Sequence, residues 1–244
     1  MIVGNADLDQ LANTAPTIEA FCKDDIEFSD VTCFQLIAEM RKSAREAVLP
    51  ACLHPTIPAA LSIQAYRVGD SPWGSFQYVT VRVSCRSGVR ARGYTTATIV
   101  DKDAALEPMR EQLGYPATIG DIAFRASYDG VALAVDLDGT DVLDLSAIDP
   151  EPMGLGDIQY TGTLNLAHTP KGLRILQIEA NDRSTQVDRL KARINHFDSA
   201  AWGNALLDPY FVVAASIAKM SVTIPAVRFV LKPDELAFTG TEAV

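Results

Sequence analysis

Residues 76–86 constrain this chain most. Their side chains alternate, with Val79, Val81, Val83 and Cys85 on one side and Tyr78, Thr80, Arg82 and Ser84 on the other. A period of two does not suit a helix, so this stretch must be a strand with two unlike faces. Ser87-Gly88 then turns the chain into a second run rich in Thr, Ile and Val over residues 94–100. Together they predict an antiparallel hairpin. Further strands are expected over residues 31–40, 61–68, 122–127, 131–137, 158–167, 173–180 and 221–231. Residues 192–202 and 206–220 leave helix and strand open. Many short strands with few helices place the chain in the α+β class, mostly antiparallel β.

The helices are few. Residues 41–48 read as a short one. After residue 100, Asp101 and Asp103 can cap a helix start, and Ala105, Leu106, Met109, Arg110 and Leu113 follow at helical spacing. Gly114 suits a left-handed helix end, and Pro116 forbids continuation. Pro108 inside a helix would cost about 3 kcal/mol, so this helix is expected to begin near Glu107. No repeat or linker splits the chain. Residues 1–29 read as a loosely attached arm, 30–234 as one domain and 235–244 as a frayed tail.

Composition excludes several function classes. A formal net charge of -10 disfavours nucleic acid and anionic membrane as partners. No run of about 18 apolar residues is present to span a bilayer, and the N-terminus does not read as a signal peptide. Four scattered cysteines and three histidines make a metal site improbable, and the thiols are expected to be free. A reducing, cytoplasmic setting follows as the expectation. Gly154-Leu-Gly156 lacks the spacing and the βαβ context of a nucleotide loop.

Residues 92–118 combine an aromatic strand, an Asp with a small-residue helix, Arg110-Glu111 and the pair Tyr115-Pro116. In this they resemble the central segment of the acetoacetate decarboxylase family. Leu49-Pro50 with Leu53 and Pro55, then Phe197-Asp198, residues 207–213 and Ile224-Pro225, follow the same family's order. The resemblance covers residues 31–231. It implies a cone-shaped β-barrel with a few peripheral helices, an interior pocket for a small-molecule substrate, no cofactor, and a homo-oligomer. In that family two lysines follow the aromatic-Pro pair. The second forms a Schiff base with a keto acid, and the first lowers its pKa by repulsion. Here those positions hold Ala117 and Thr118. By spacing, the family's carboxylate falls on Tyr78, with Gln77 one step away. Its substrate-binding arginine falls on Glu39.

A Schiff base needs an amine, and Thr118 has none. Glu39, if enclosed, would have a raised pKa suited to acid–base work, and Tyr78 could donate to a developing oxyanion. These two form the candidate catalytic pair, with Gln77, Arg82, Tyr94, Thr96 and Thr118 as candidate substrate contacts. Four of them have a plainer reading: Glu39 as a surface charge, Tyr78 as a barrel tyrosine, Arg82 as a salt-bridge partner or solvated edge charge, Thr118 as a cap. The expected activity is that of a lyase-type enzyme doing non-covalent acid–base chemistry (dehydration, hydration, aldol-type cleavage or cyclisation) on a largely apolar carbonyl compound of a biosynthetic or catabolic pathway. The alternative is a non-catalytic module that holds a small hydrophobic ligand. Decarboxylation without the lysine would need a cation in the pocket, and Arg82 is the candidate. Convergence of Glu39 and Tyr78 on one enclosed cavity would favour the enzyme, and a cavity with only apolar walls would favour the binding module.

Overall fold

The computed structural model describes residues 2–244. The first half of the chain runs α1 (Leu8–Thr14), β1 (Ile26–Met40), α2 (Lys42–Ala47), β2 (His54–Pro55), β3 (Ala60–Asp70), β4 (Phe76–Ser87), β5 (Arg90–Val100) and α3 (Asp103–Glu111). Then come β6 (Ala117–Ile119), β7 (Asp121–Ala126), β8 (Gly130–Leu137), β9 (Thr140–Pro152), β10 (Gly162–Thr169) and β11 (Gly172–Ile178). The chain closes with β12 (Asn181–Phe197), β13 (Pro209–Ile224), β14 (Phe229–Leu231), α4 (Ala237–Gly240) and β15 (Thr241–Ala243). All strands join one sheet in the order β15-β14-β11-β10-β5-β4-β3-β1-β13-β12-β9-β8-β7, with β2 beside β4 and β6 beside β5. Pairing is antiparallel except for β10 with β5 and β5 with β6.

The alternation read along residues 76–86 is the key to the packing. Val79, Val81, Val83 and Cys85 of β4 enter one core, together with Phe34, Leu36, Ala38 and Met40 of β1. Phe76 and Tyr78, with Val31 and Cys33 of β1, enter a second core on the opposite face. The β9-β8-β7 end of the sheet curls over the first face, contributing Phe124, Leu133 and Leu145. The other face is covered by α3 through Ala105 and Met109, by Leu176 of β11 and by Val230 of β14. Burying both faces of the central strands gives the apolar driving force its full area.

The expected barrel is not closed. β7 packs on β4 and β5, and Gln77 Nε2 donates to the Ile122 carbonyl at 3.4 Å, but no ladder joins these strands. The termini also differ from expectation. Residues 4–6 bond Leu53, Glu46 and Leu49 through their backbones, Ile18 is fully buried, and β1 starts at Ile26. The tail forms α4 and β15, with Phe229 to Leu231 paired to Ala243 to Thr241. Both ends are held by backbone hydrogen bonds that sequence pattern does not show. Residues 192–197 and 209–220, left open from sequence, are strand.

α3 begins at Asp103 and keeps Pro108 inside. In so short a helix the proline removes one hydrogen bond, while Ala105 and Met109 anchor the buried face. Asp101 caps nothing: it accepts from the Gln77 backbone at 2.7 Å and from Gln77 Nε2 at 3.1 Å. Gly114 ends the helix at φ +66°, with Tyr115 N–H bonding the Met109 carbonyl at 3.0 Å. Among the described residues no helix is long and apolar enough to cross a membrane.

Candidate functional site

A bulge in β5 decides which side chains meet. Pairing with β4 steps from Val81–Ala97 to Arg82–Thr95, so Thr96 is the extra residue. A bulge shifts the alternation by one. Thr98 and Thr95 therefore share the face of Thr80 and Arg82, while Tyr94 turns into the first core beside Cys52 and Cys85. Thr96 instead donates to the Val81 carbonyl at 3.2 Å.

On the second-core face, directly opposed residues build rows across the sheet. One row is Cys33, Tyr66 and Tyr78; Tyr66 and Tyr78 stack with ring centroids 4.5 Å apart. The next row is polar and buried: Ser216, Gln35, Gln64, Thr80 and Thr98. Here Tyr66 Oη donates to Gln64 Oε1 at 3.1 Å, Gln64 Nε2 donates to Gln35 Oε1, and Thr98 donates to Thr80 at 3.1 Å. Beyond them stands Arg82, only 4% exposed. Its Nη1 donates to the Thr161 carbonyl at 3.1 Å and to Thr163 Oγ1 at 2.7 Å. Gly93 makes room for this side chain: a Cβ there would lie 3.1 Å from Arg82 Nε and 3.2 Å from its Cδ.

These rows form one wall of a cavity of about 40 Å³. Tyr115, Tyr160, Thr163 and Asp182 line the rest, with Thr161 and Ala180 at the exposed mouth. Among the described residues Arg82 is its only cation, Asp182 its only carboxylate, and no lysine lines it. Two buried polar atoms at the cavity, Arg82 Nε and Tyr160 Oη, have no hydrogen-bond partner among the described residues. Buried polar groups are nearly always paired, so unpaired ones mark a place for water or ligand.

Burial sets the protonation states. It pushes the Tyr66, Tyr78, Tyr115 and Tyr160 phenols upward, so all four are neutral hydrogen-bond donors. It pushes the Cys33 thiol up to about 12, leaving an unreactive thiol. Burial also raises the Asp182 carboxyl, opposed by the Arg82 charge. A carboxyl raised by desolvation and faced by a specific cation is the pattern of an acid–base group.

The residues singled out from sequence separate. Tyr78 and Arg82 line the cavity together. Glu39 does not: it lies at the far end of β1, half-buried, and accepts from the exposed Tyr210 hydroxyl at 2.7 Å. It shares the face of Gln35 but stands four residues further along, about 13 Å at strand rise. Gln77 points to the opposite face and is held by Asp101. Tyr94 and Thr96 line a separate small cavity with Leu11 and Asn204. Thr118 is exposed, whereas Ala117 is buried in the second core near Tyr78 and Tyr115. The inward position after Tyr115-Pro116 is thus Ala117. Asp182, Tyr66 and Tyr160 escaped sequence reasoning. Tyr66 shares its parity with Gln64 along β3, a readable signal, but Asp182 sits in a polar run with nothing local to mark it. The three histidines lie elsewhere, each bonded to a backbone carbonyl. Among the described residues no group of three His, Cys, Asp or Glu could hold a metal ion.

The chain is thus one open, mostly antiparallel β-sheet with a small polar cavity on one face of its central strands. The acetoacetate decarboxylase family, described as Acetoacetate decarboxylase (ADC), matches residues 12–230, and the chain belongs to it. The fold is similar to acetoacetate decarboxylase from Legionella pneumophila, with a TM-score of 0.75 at 15% identity over 88% of each chain. It is similar to the enduracididine biosynthesis enzyme MppR complexed with pyruvate, with a TM-score of 0.69 at 14% identity over 83% of this chain and 89% of that one. It is also similar to an acetoacetate decarboxylase-like enzyme from Sphingomonas wittichii RW1, with a TM-score of 0.67 at 15% identity over 84% and 93%. No curated protein matches the chain significantly in sequence.

Proposed function

We propose that the chain is an enzyme that abstracts a proton next to the carbonyl of a small 2-oxo acid, without cofactor and without a covalent imine. The observation that carries this reading is one small cavity that holds both Arg82, with unsatisfied donor capacity, and Asp182, with a raised pKa. Arg82 Nη2 makes no bond to the described residues and is free for a substrate carboxylate. Asp182 takes the proton, the electron pair moves onto the carbonyl oxygen, and the neutral phenol of Tyr78 or Tyr160 donates to the resulting enolate. Enolisation is the step shared by dehydration, hydration and aldol-type cleavage, so it fits the lyase-type chemistry expected from sequence.

Size and polarity favour a small anion over the largely apolar compound first expected. A cavity of about 40 Å³, below the range of drug-sized sites, suits a small ligand. MppR, of similar fold, binds pyruvate, which makes pyruvate the natural probe. The test is deuterium exchange at pyruvate C3, followed by proton NMR. Wild type should exchange the methyl protons, and Asp182→Asn and Arg82→Gln should each lose about a hundredfold in rate. Borohydride with pyruvate should leave the protein mass unchanged. A trapped adduct, or exchange that survives Asp182→Asn, would overturn the reading. Pyruvate binding without exchange in wild type would favour the binding module instead.

A further inference from the structure

We propose a second ligand site, for a medium-chain carboxylate, in a larger cavity at the open end of the first core. It lies on the opposite face of the central strands and goes beyond the reading of the Asp182 cavity. Thr32 of β1 pairs with Arg67 of β3 on one side and with Lys219 of β13 on the other. Opposed residues on neighbouring strands stand about 5 Å apart, so the two cationic side chains rise about 10 Å apart with a hydroxyl between them. Arg67 Nη2 donates to Thr32 Oγ1 at 3.2 Å, and its guanidinium lies 6.0 Å from the Phe124 ring centroid. Neither Arg67 nor Lys219 forms a salt bridge among the described residues. The one carboxylate at the rim, Asp188, accepts from Gln186 at 2.7 Å. In a chain of net charge -10, two unpaired cations in register across three strands are an anion-holding feature.

The rest of the cavity is of a different character. It measures about 560 Å³, within the range of small-molecule sites. Val131, Leu190, Ile217, Pro150 and Pro152 supply apolar wall. A cationic row beside an apolar wall suits a ligand with an anionic head and a hydrocarbon body: the head between Arg67 and Lys219, the tail against Leu190 and Ile217. Burying each methylene adds about 0.8 kcal/mol, so affinity should climb with chain length until the cavity is filled.

The test is calorimetric titration of the full chain with octanoate. Wild type should bind it saturably at one site. The double variant Arg67→Gln with Lys219→Gln should lose about tenfold or more, since each charged contact is a strong one. Both side chains are exposed, and circular dichroism would verify that the variant is folded. Octanol, with the same tail and no charge, should bind wild type about tenfold more weakly. Arg82→Gln should bind octanoate as wild type does, which separates this site from the Asp182 cavity. Absence of saturable binding, indifference to the double variant, or loss in Arg82→Gln would each overturn the proposal.

Discussion

Gly93→Ala tests the geometry of the Asp182 cavity with one methyl group. The new Cβ would lie 3.1 Å from Arg82 Nε and 3.2 Å from its Cβ and Cδ. Ordinary carbon contacts begin near 3.5 Å, so the Arg82 stem must yield by a few tenths of an ångström. Its guanidinium is tied at 3.1 Å to Thr161 and at 2.7 Å to Thr163. Moving the stem therefore strains one charge-assisted bond, of a kind worth about 1.5–3 kcal/mol. Against this, alanine in a strand costs about 0.5–1 kcal/mol less backbone entropy than glycine. Gly93 needs no left-handed conformation, since its φ is not positive. The gain offsets only part of the strain in stability, and nothing offsets it in function. The expected outcome is a thermal midpoint within a few degrees of wild type, with pyruvate affinity down about tenfold, equivalent to about 1.4 kcal/mol. Differential scanning calorimetry and titration calorimetry on the same sample measure the two. Unchanged pyruvate affinity would refute the view that the placement of Arg82 governs the cavity.

Two further outcomes follow. Asp182 has its carboxyl raised by burial in the folded state, so the folded chain holds that proton more tightly than the unfolded one. The contribution of Asp182 to stability is then most favourable in acid and falls as pH rises from the ordinary carboxylate range through the folded value. Asp182→Asn removes this penalty, and its urea midpoint should exceed that of wild type at neutral pH and match it in acid; a neutral-pH midpoint below wild type would contradict the assignment. Ala117→Lys, at the buried inward position, should give a lysine whose amine is neutral enough to form an imine with pyruvate, trapped by borohydride as a mass increase. Thr118→Lys, at the exposed position, should give none; labelling of Thr118→Lys alone would reverse the inward assignment.

Much of the fold was legible because strand alternation is a local property. The two faces of residues 76–86 become the walls of two cores, and the turn at Ser87-Gly88 makes the predicted hairpin. Tyr78 and Arg82 share one cavity because they share parity on one strand. Legibility stops at interruptions of that period. The bulge at Thr96 turns Tyr94 into the first core, a slip of one residue that pattern reading cannot detect. Glu39 has the parity of the cavity face, but its distance along β1 carries it to the rim. The barrel expected from the family is an open sheet, because closure depends on whether β7 bonds β4 or only packs on it.

Sequence alone settled what acts locally: which stretches are strands, which way most of their side chains point, that no amine follows Tyr115-Pro116, and that the chain is acidic. These depend on periodicity and residue type. Tertiary structure decided what acts at a distance. It brought Asp182 of β12 to the cavity that holds Arg82 of β4, turned Ala117 rather than Thr118 inward, and set Arg67 and Lys219 on either side of Thr32. The reason is physical. A side chain's chemistry depends on burial and on neighbouring charge, and both are supplied by strands far away in the chain.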